Sequence, residues 1–248
     1  KQRSVGGGVR LHIEPRPANF VEAWTTLRHH DFTNGECPDY PDDCATRPIS
    51  LAVTEGRYPL PAAFEGYDAL KVGARGVVDS RPPRPGGGSG VVAEARAEVG
   101  VDLGGHGEWA QIGGTVGGYL DLTGTRRMLG LLFDARLIEP FSSDARVPFT
   151  ELIGAGRTDG VPDGDLLRGF APGRLLGESS LTASLEYSGP IWSFVDATLQ
   201  AQVGNVFGRE FEDFELERLR FSFVGGFRSP DQRDHGLNLL VGFGTKPF

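Results

Sequence analysis

Apolar and polar residues alternate one by one over most of this chain, in blocks. From Val91 to Leu103, Val91, Ala93, Ala95, Ala97, Val99, Val101 and Leu103 fall on one face, and Val92, Glu94, Arg96, Glu98, Gly100 and Asp102 on the other. Ala110 to Leu122 sets Ala110, Ile112, Gly114, Val116, Gly118, Leu120 and Leu122 against Gln111, Gly113, Thr115, Gly117, Tyr119 and Asp121. A period of two places successive side chains on opposite faces of a strand. The same pattern predicts strands at Leu70–Asp79, Arg127–Leu137, Leu181–Ser188, Val195–Val203, Arg218–Arg228 and Leu237–Phe243. Two weaker candidates, Val5–Glu14 and Phe20–Phe32, precede them.

That makes about ten strands, most of roughly ten residues, the length a tilted strand needs to cross a bilayer. Strands of soluble proteins usually run to about five or six residues. The connections alternate as well. Short Pro/Gly turns are expected at 15–19, 81–88, 123–125 and 188–190, and longer segments at 33–66, 103–109, 138–178 and 208–217. Short turns on one side and long loops on the other is the pattern of an outer-membrane barrel. The apolar faces also carry Gly and Ala beside aromatics, whereas a soluble core fills with larger interlocking side chains. The fold expected is all-β: an antiparallel transmembrane β-barrel of the outer-membrane type. It forms a single domain over 1–248, with about ten strands in this chain and a long loop at about 138–178.

Composition narrows the reading. Gly is abundant at 37 residues, without the three-residue period of collagen. The net charge of −8 argues against a nucleic-acid partner, which needs a basic stripe. No apolar run is long enough for a membrane helix, which leaves a membrane barrel open. Cys37 and Cys44, in ECPDYPDDC, read as a local disulfide in an oxidising compartment. A metal site there lacks a well-placed His, and Asp39, Asp42 and Asp43 lack the ligand spacing of a calcium loop. No metal or cofactor is expected.

The stretch from Val147 reads VPFTELIGAGRTDG, then DGDLLRGFAPGRLLGESSLTASLEYSGPIWSFVDATLQAQVGNVFG, and the chain ends LLVGFGTKPF. It resembles the bacterial surface-antigen family, the outer-membrane protein assembly and translocation barrels, from about Leu70 to Phe248. The pair Pro148–Phe149 opens a long loop. Leu167, Arg168, Gly169 and Phe170 match the family's Val-Arg-Gly-Phe/Tyr motif, and Glu186 and Asp196 match acidic positions on the next two strands. VVDSRPPRPGGGSG at 77–90 resembles the family's Asp-Thr-Arg strand end and Pro-Gly periplasmic turn. The resemblance implies that the loop folds into the lumen and that Arg168 pairs there with Glu186, Asp196 or both. A guanidinium forks onto carboxylates in a way that Lys does not. It also implies an outer-membrane location in a Gram-negative-type bacterium. The partners implied are outer-membrane lipid, unfolded outer-membrane or secreted client proteins, and periplasmic accessory proteins.

One departure from the family stands out. Four strands follow the Arg168 loop where the family has five, so a closing strand after Phe248 and further strands before Lys1 are expected; the alternative is a smaller closed barrel with altered connections. The family's periplasmic modules are absent from the sequence.

Nothing here forms a catalytic constellation. His29 and His30 are adjacent on a strand and point to opposite faces. Ser179–Ser180 sits in no nucleophile elbow. Glu94, Arg96, Glu98, Arg218 and Arg220 read as polar filling of a lumen. A non-enzymatic function is therefore expected, and the resemblance implies insertion or translocation of proteins at the outer membrane. The alternatives are a passive pore and a soluble β-sandwich binding module.

Overall fold

The computed structural model describes residues 2–32, 63, 66–82, 88–105, 107–142, 145–154, 167–170, 175–228 and 238–245. Ten long strands form one antiparallel sheet. They are β1 (Gln2–Arg16), β2 (Asn19–Phe32), β3 (Tyr67–Asp79), β4 (Gly90–Asp102), β5 (Glu108–Asp121), β6 (Met128–Pro140), β9 (Ser179–Trp192), β10 (Val195–Phe207), β11 (Arg220–Arg228) and β12 (Asn238–Gly244). Each long strand pairs with the next, and β6 pairs with β9. Between those two lie β7 (Ile153–Gly154) and β8 (Leu176–Gly177), which bond only to each other as a small second sheet. Among the described pairings, β1 and β12 are the sheet's edges.

All ten expected strands are present, most of them longer than the alternation alone indicated. Three local differences have physical reasons. Ser188–Pro190 does not turn: β9 runs through to Trp192, and the turn is Ser193–Phe194, beside a register shift at Val195/Asp196. The connection at 103–109 contracts, because Gly105 at φ +85° and the Asp102 carboxylate, bonded to the Gly104 N–H, close it tightly. Arg218 is not in the lumen. It lies in a short 3₁₀ turn (Leu216–Arg218) and pairs with Asp213 outside the wall. Cys37, Cys44 and Asp39–Asp43 lie outside the described residues.

The two faces of the sheet invert the usual order. Val9 is 77% exposed and Phe243 70%, while Glu98 is 5% and Glu94 7% exposed. Apolar side chains cover the outside along every long strand, and among the described residues no second sheet covers them. A soluble β-sandwich would clasp such faces together, whereas these stand exposed. This is the outer-membrane-type β-barrel arrangement, with polar residues turned inward.

The inner face also explains part of the glycine content. Gly73 sits opposite Trp24, Gly100 opposite Trp109, and Gly130 opposite Tyr119. A Cβ on Gly100 would stand 2.3 Å from the Trp109 ring, and one on Gly73 would stand 2.4 Å from Trp24. Each large ring thus lies flat across the neighbouring strand, shielding a bare backbone. The rings are buried and the wall stays thin.

Candidate functional site: the inner wall and the inward segment

After β6 the chain leaves the wall and enters the interior. Its first stretch, 147–154, settles against β3 and β5. Val147 and Ile153 are buried with Tyr67, Ala69, Trp109 and Ile138 in the largest apolar cluster of the interior. Polar contacts fix the same stretch. The Tyr67 hydroxyl lies 2.6 Å from Thr150 Oγ1 and donates to Glu151 Oε1 at 2.8 Å, and Lys71 Nζ donates to Glu151 Oε2 at 2.9 Å. His30 stacks on Tyr67 with ring centroids 4.6 Å apart. This anchor therefore combines an apolar plug with a charged clamp.

The second anchor is the tetrad Leu167–Phe170, which lies on β10–β12. Leu167 is buried at 2% exposure and adopts φ +56°, a left-handed conformation that costs a non-glycine residue about 1 kcal/mol or more. The Arg168 backbone N–H donates to Gln202 Oε1 (3.0 Å), and the Gly169 N–H donates to Ser222 Oγ (2.7 Å). The Phe170 N–H closes a turn onto the Leu167 carbonyl at 3.0 Å. Gly169 rests directly on β12: a Cβ there would come within 2.4 Å of the Phe243 carbonyl carbon. The wall is cut back to match. A Cβ at Gly242 would meet the Arg168 carbonyl oxygen at 2.8 Å, and one at Gly244 would meet the Phe170 ring at 2.8 Å.

The two acids expected to receive Arg168 engage other cations. Glu186 Oε1 accepts from Arg228 at 2.7 Å and Oε2 from Gln200 at 2.8 Å. Asp196 Oδ1 lies 3.4 Å from Arg126. The Arg168 and Gly169 amides and the Phe170 ring bring the tetrad onto the wall. Gln202, Ser222, Gly242 and Gly244 thus form the seat, and the sequence reading passed over them. The available signal was two glycines on the polar face of the last strand, next to large apolar residues on its outer face.

Between the first anchor and strands β1–β6 a cavity of about 870 Å³ remains. Its wall holds a chain of charge contacts. Glu22 meets Arg75 at 2.8 Å and Arg10 at 3.6 Å. Glu98 accepts from the Trp24 indole at 2.8 Å and meets Lys71 at 3.6 Å. The Arg96 guanidinium lies 5.1 Å from the Trp24 ring centroid.

The same architecture occurs in the crystal structure of BamA from Haemophilus ducreyi lacking POTRA domains 1-3. That structure superposes with a TM-score of 0.61 over 98% of this chain, at 14% sequence identity. The chain has a BamA-like barrel fold. It spans 55% of the length of that BamA chain. The likeness is one of fold. Neither a protein-family model nor a curated protein matches the sequence.

Proposed function

We propose that this chain forms the wall of an outer-membrane barrel of the surface-antigen, assembly and translocation type, and that it helps insert or translocate proteins at the outer membrane. One observation carries the reading. Between adjacent wall strands, residues 147–154 lie in the interior and a Leu-Arg-Gly-Phe turn at 167–170 is seated on the glycine-notched inner face of β10–β12. The apolar outer faces and the BamA-like fold support it. In this reading the outer faces meet lipid, and the clients are unfolded outer-membrane or secreted polypeptides delivered by periplasmic accessory proteins. A contact from Arg168 to Glu186 or Asp196 then competes with Arg228 and Arg126, so partner exchange at these acids would accompany movement of the segment.

The test is insertion of a urea-unfolded outer-membrane barrel client into liposomes, read by the heat-dependent shift in electrophoretic mobility. Liposomes holding the full chain are expected to fold the client faster than empty ones. Equal rates with and without the chain would refute the assembly reading. The charged cavity favours a second reading, a passive pore. Steady conductance in a planar bilayer together with equal client folding would select it.

A further inference from the structure

The outer face changes character at the foot of β6, β9 and β10, the end that carries the short turns. Higher on these strands it is plain hydrocarbon, with Leu129, Leu131, Leu185 and Leu199 all exposed. At the foot, register places Arg127 on that same face. The Leu122 N–H donates to the Arg127 carbonyl, one strand period below the outward pair Leu120–Leu129. Side chains two residues apart on a strand share a face. On β9, Gly189 follows outward Tyr187 by the same step, opposite Ala197 of β10.

Gly189 leaves a notch that its neighbours fill. A Cβ there would stand 3.4 Å from Arg127 Cγ and 3.4 Å from the Tyr187 hydroxyl oxygen. The arginine stem and the phenol therefore meet over one bare stretch of backbone. Arg127 is exposed, and among the described residues no carboxylate pairs with it. Its neighbour Arg126 instead lies 3.4 Å from Asp196 on the inner side. The β9–β10 turn below adds two rings. Trp192 is 63% exposed and Phe194 67%, and they stack with centroids 6.3 Å apart. The β1–β2 and β5–β6 turns at this end hold no aromatic residue, and Arg81 after β3 turns onto the Tyr119 ring at 4.1 Å. Aromatic rings gather where a barrel wall meets the headgroups, and Trp suits that level because its body is apolar and its N–H polar. A guanidinium at the same level meets lipid phosphates, onto which it forks as it does onto carboxylates.

We propose that the foot of β6–β9–β10 binds the headgroup of an anionic phospholipid. Arg127 takes the phosphate, the Tyr187 hydroxyl donates beside it, and Trp192 marks the boundary between headgroup and acyl chain. Phosphatidylcholine carries a phosphate too, but its choline cation opposes Arg127, so the site selects net negative lipid. The proposal rests on the outer face meeting lipid, and not on protein insertion being the chain's activity.

The test reconstitutes the full chain in phosphatidylcholine vesicles and titrates in phosphatidylglycerol with brominated acyl chains, reading the quenching of tryptophan fluorescence. Trp24 and Trp109 are buried inside the wall at 9% and 1% exposure, so Trp192 is the tryptophan that outer lipid reaches. Trp192→Phe should abolish the quenching. Brominated phosphatidylglycerol is expected to bind about fivefold more tightly than brominated phosphatidylcholine, the preference conferred by one cation near a membrane surface. Arg127→Gln should remove the preference while quenching by both lipids persists, and at this exposed position it should keep the wild-type heat-dependent mobility. Arg16→Gln removes an equal charge at the end of β1, beside the β1–β2 turn, and should leave the preference intact. Equal binding of the two lipids overturns the headgroup site while the lipid-facing wall stands. So does a preference that survives Arg127→Gln or vanishes with Arg16→Gln. Absence of quenching by either lipid overturns the site together with lipid contact at this end, and leaves Trp192 and Phe194 to an aqueous protein partner.

Discussion

The two halves of the inner wall solve the same problem in opposite ways. Along β1–β6 the interior is filled by long charged side chains and aromatic rings, which leave a cavity and hold the inward segment through Glu151. Along β9–β12 it is lined by Ser179, Ser180, Thr182, Ser184, Thr198, Gln200, Gln202 and Ser222, all nearly fully buried. There the inward segment itself is the filling, and it meets the wall backbone to backbone at glycines. One half thus owes its shape to side chains that carry charge, and the other, the buried Glu186–Arg228 pair apart, to small neutral side chains and glycines. A charged clamp responds to ions and can exchange partners, whereas a backbone seat tolerates no added atom.

The largest expected effect is in the glycine half. Gly169→Ala puts a Cβ 2.4 Å from β12 backbone that is held in its ladder, so the tetrad has to lift. Overpacking of this kind costs about 1–3 kcal/mol, and the upper end is expected where the clash is with backbone. Hydrogen–deuterium exchange should rise sharply at 167–170 and stay unchanged at 147–154. Equal rises at both anchors would show that the segment detaches as one body, and the contrast between the halves would fail.

Glu151→Ala tests the charged half. It removes the partner of Lys71 and the acceptor of the Tyr67 hydroxyl, with the Lys71 side chain 15% exposed. The cost should fall between the values for exposed and fully buried pairs, about 2 kcal/mol. Exchange should now rise at 147–154, while the Gln202 and Ser222 contacts keep 167–170 protected. Glu151→Gln, which retains an acceptor for Tyr67, should recover part of the loss. A Gln variant as loose as the Ala variant would mean that charge alone holds this anchor. In the glycine half, Gln202→Leu removes a neutral acceptor from the Arg168 N–H and should cost about 1 kcal/mol, read as faster exchange of that amide.

The wall itself was legible because burial on one side forces a strict period of two. Val91–Leu103 and Ala110–Leu122 leave no other consistent pairing, and a slip of one residue would put Glu94 and Glu98 on the outside. The Leu-Arg-Gly-Phe turn at 167–170 was legible as a motif. What its backbone touches was not: that seat is made by Gln202, Ser222, Gly242 and Gly244. Those residues act by being small or neutral, and no charge or spacing marks them. The Tyr67–Glu151 clamp was hidden for a different reason, since it joins residues 84 apart that only the inward packing of 147–154 on the wall brings together. Ser188–Pro190 was misassigned because Pro and Gly signal a turn locally, while the pairing of Pro190 with Asp196 at the strand end tolerates both.

The smallest effect is expected outside the wall, where neither half's logic applies. In the connection 208–219, the Asp213 carboxylate accepts the Gly208 N–H at 2.6 Å and pairs with Arg218. The Gly208 bond, helped by the charge of Arg218, holds Asp213 below the ordinary carboxylate range against an opposing contribution from burial. A lowered folded-state pKa means that the unfolded segment binds the proton more readily. The stabilisation is therefore complete above the ordinary aspartate value of about 4, and it is lost as pH falls through the lower folded value. With its side chain 41% exposed, the group should govern only its own connection. Exchange of the Gly208 amide, corrected for the intrinsic effect of pH, should rise in acid in the wild type. In Asp213→Asn it should be nearly independent of pH over the same range. A parallel acid response at 147–154 or 167–170 would show that this connection is coupled to the interior anchors, and the two halves could then no longer be treated as separate from the loops above them.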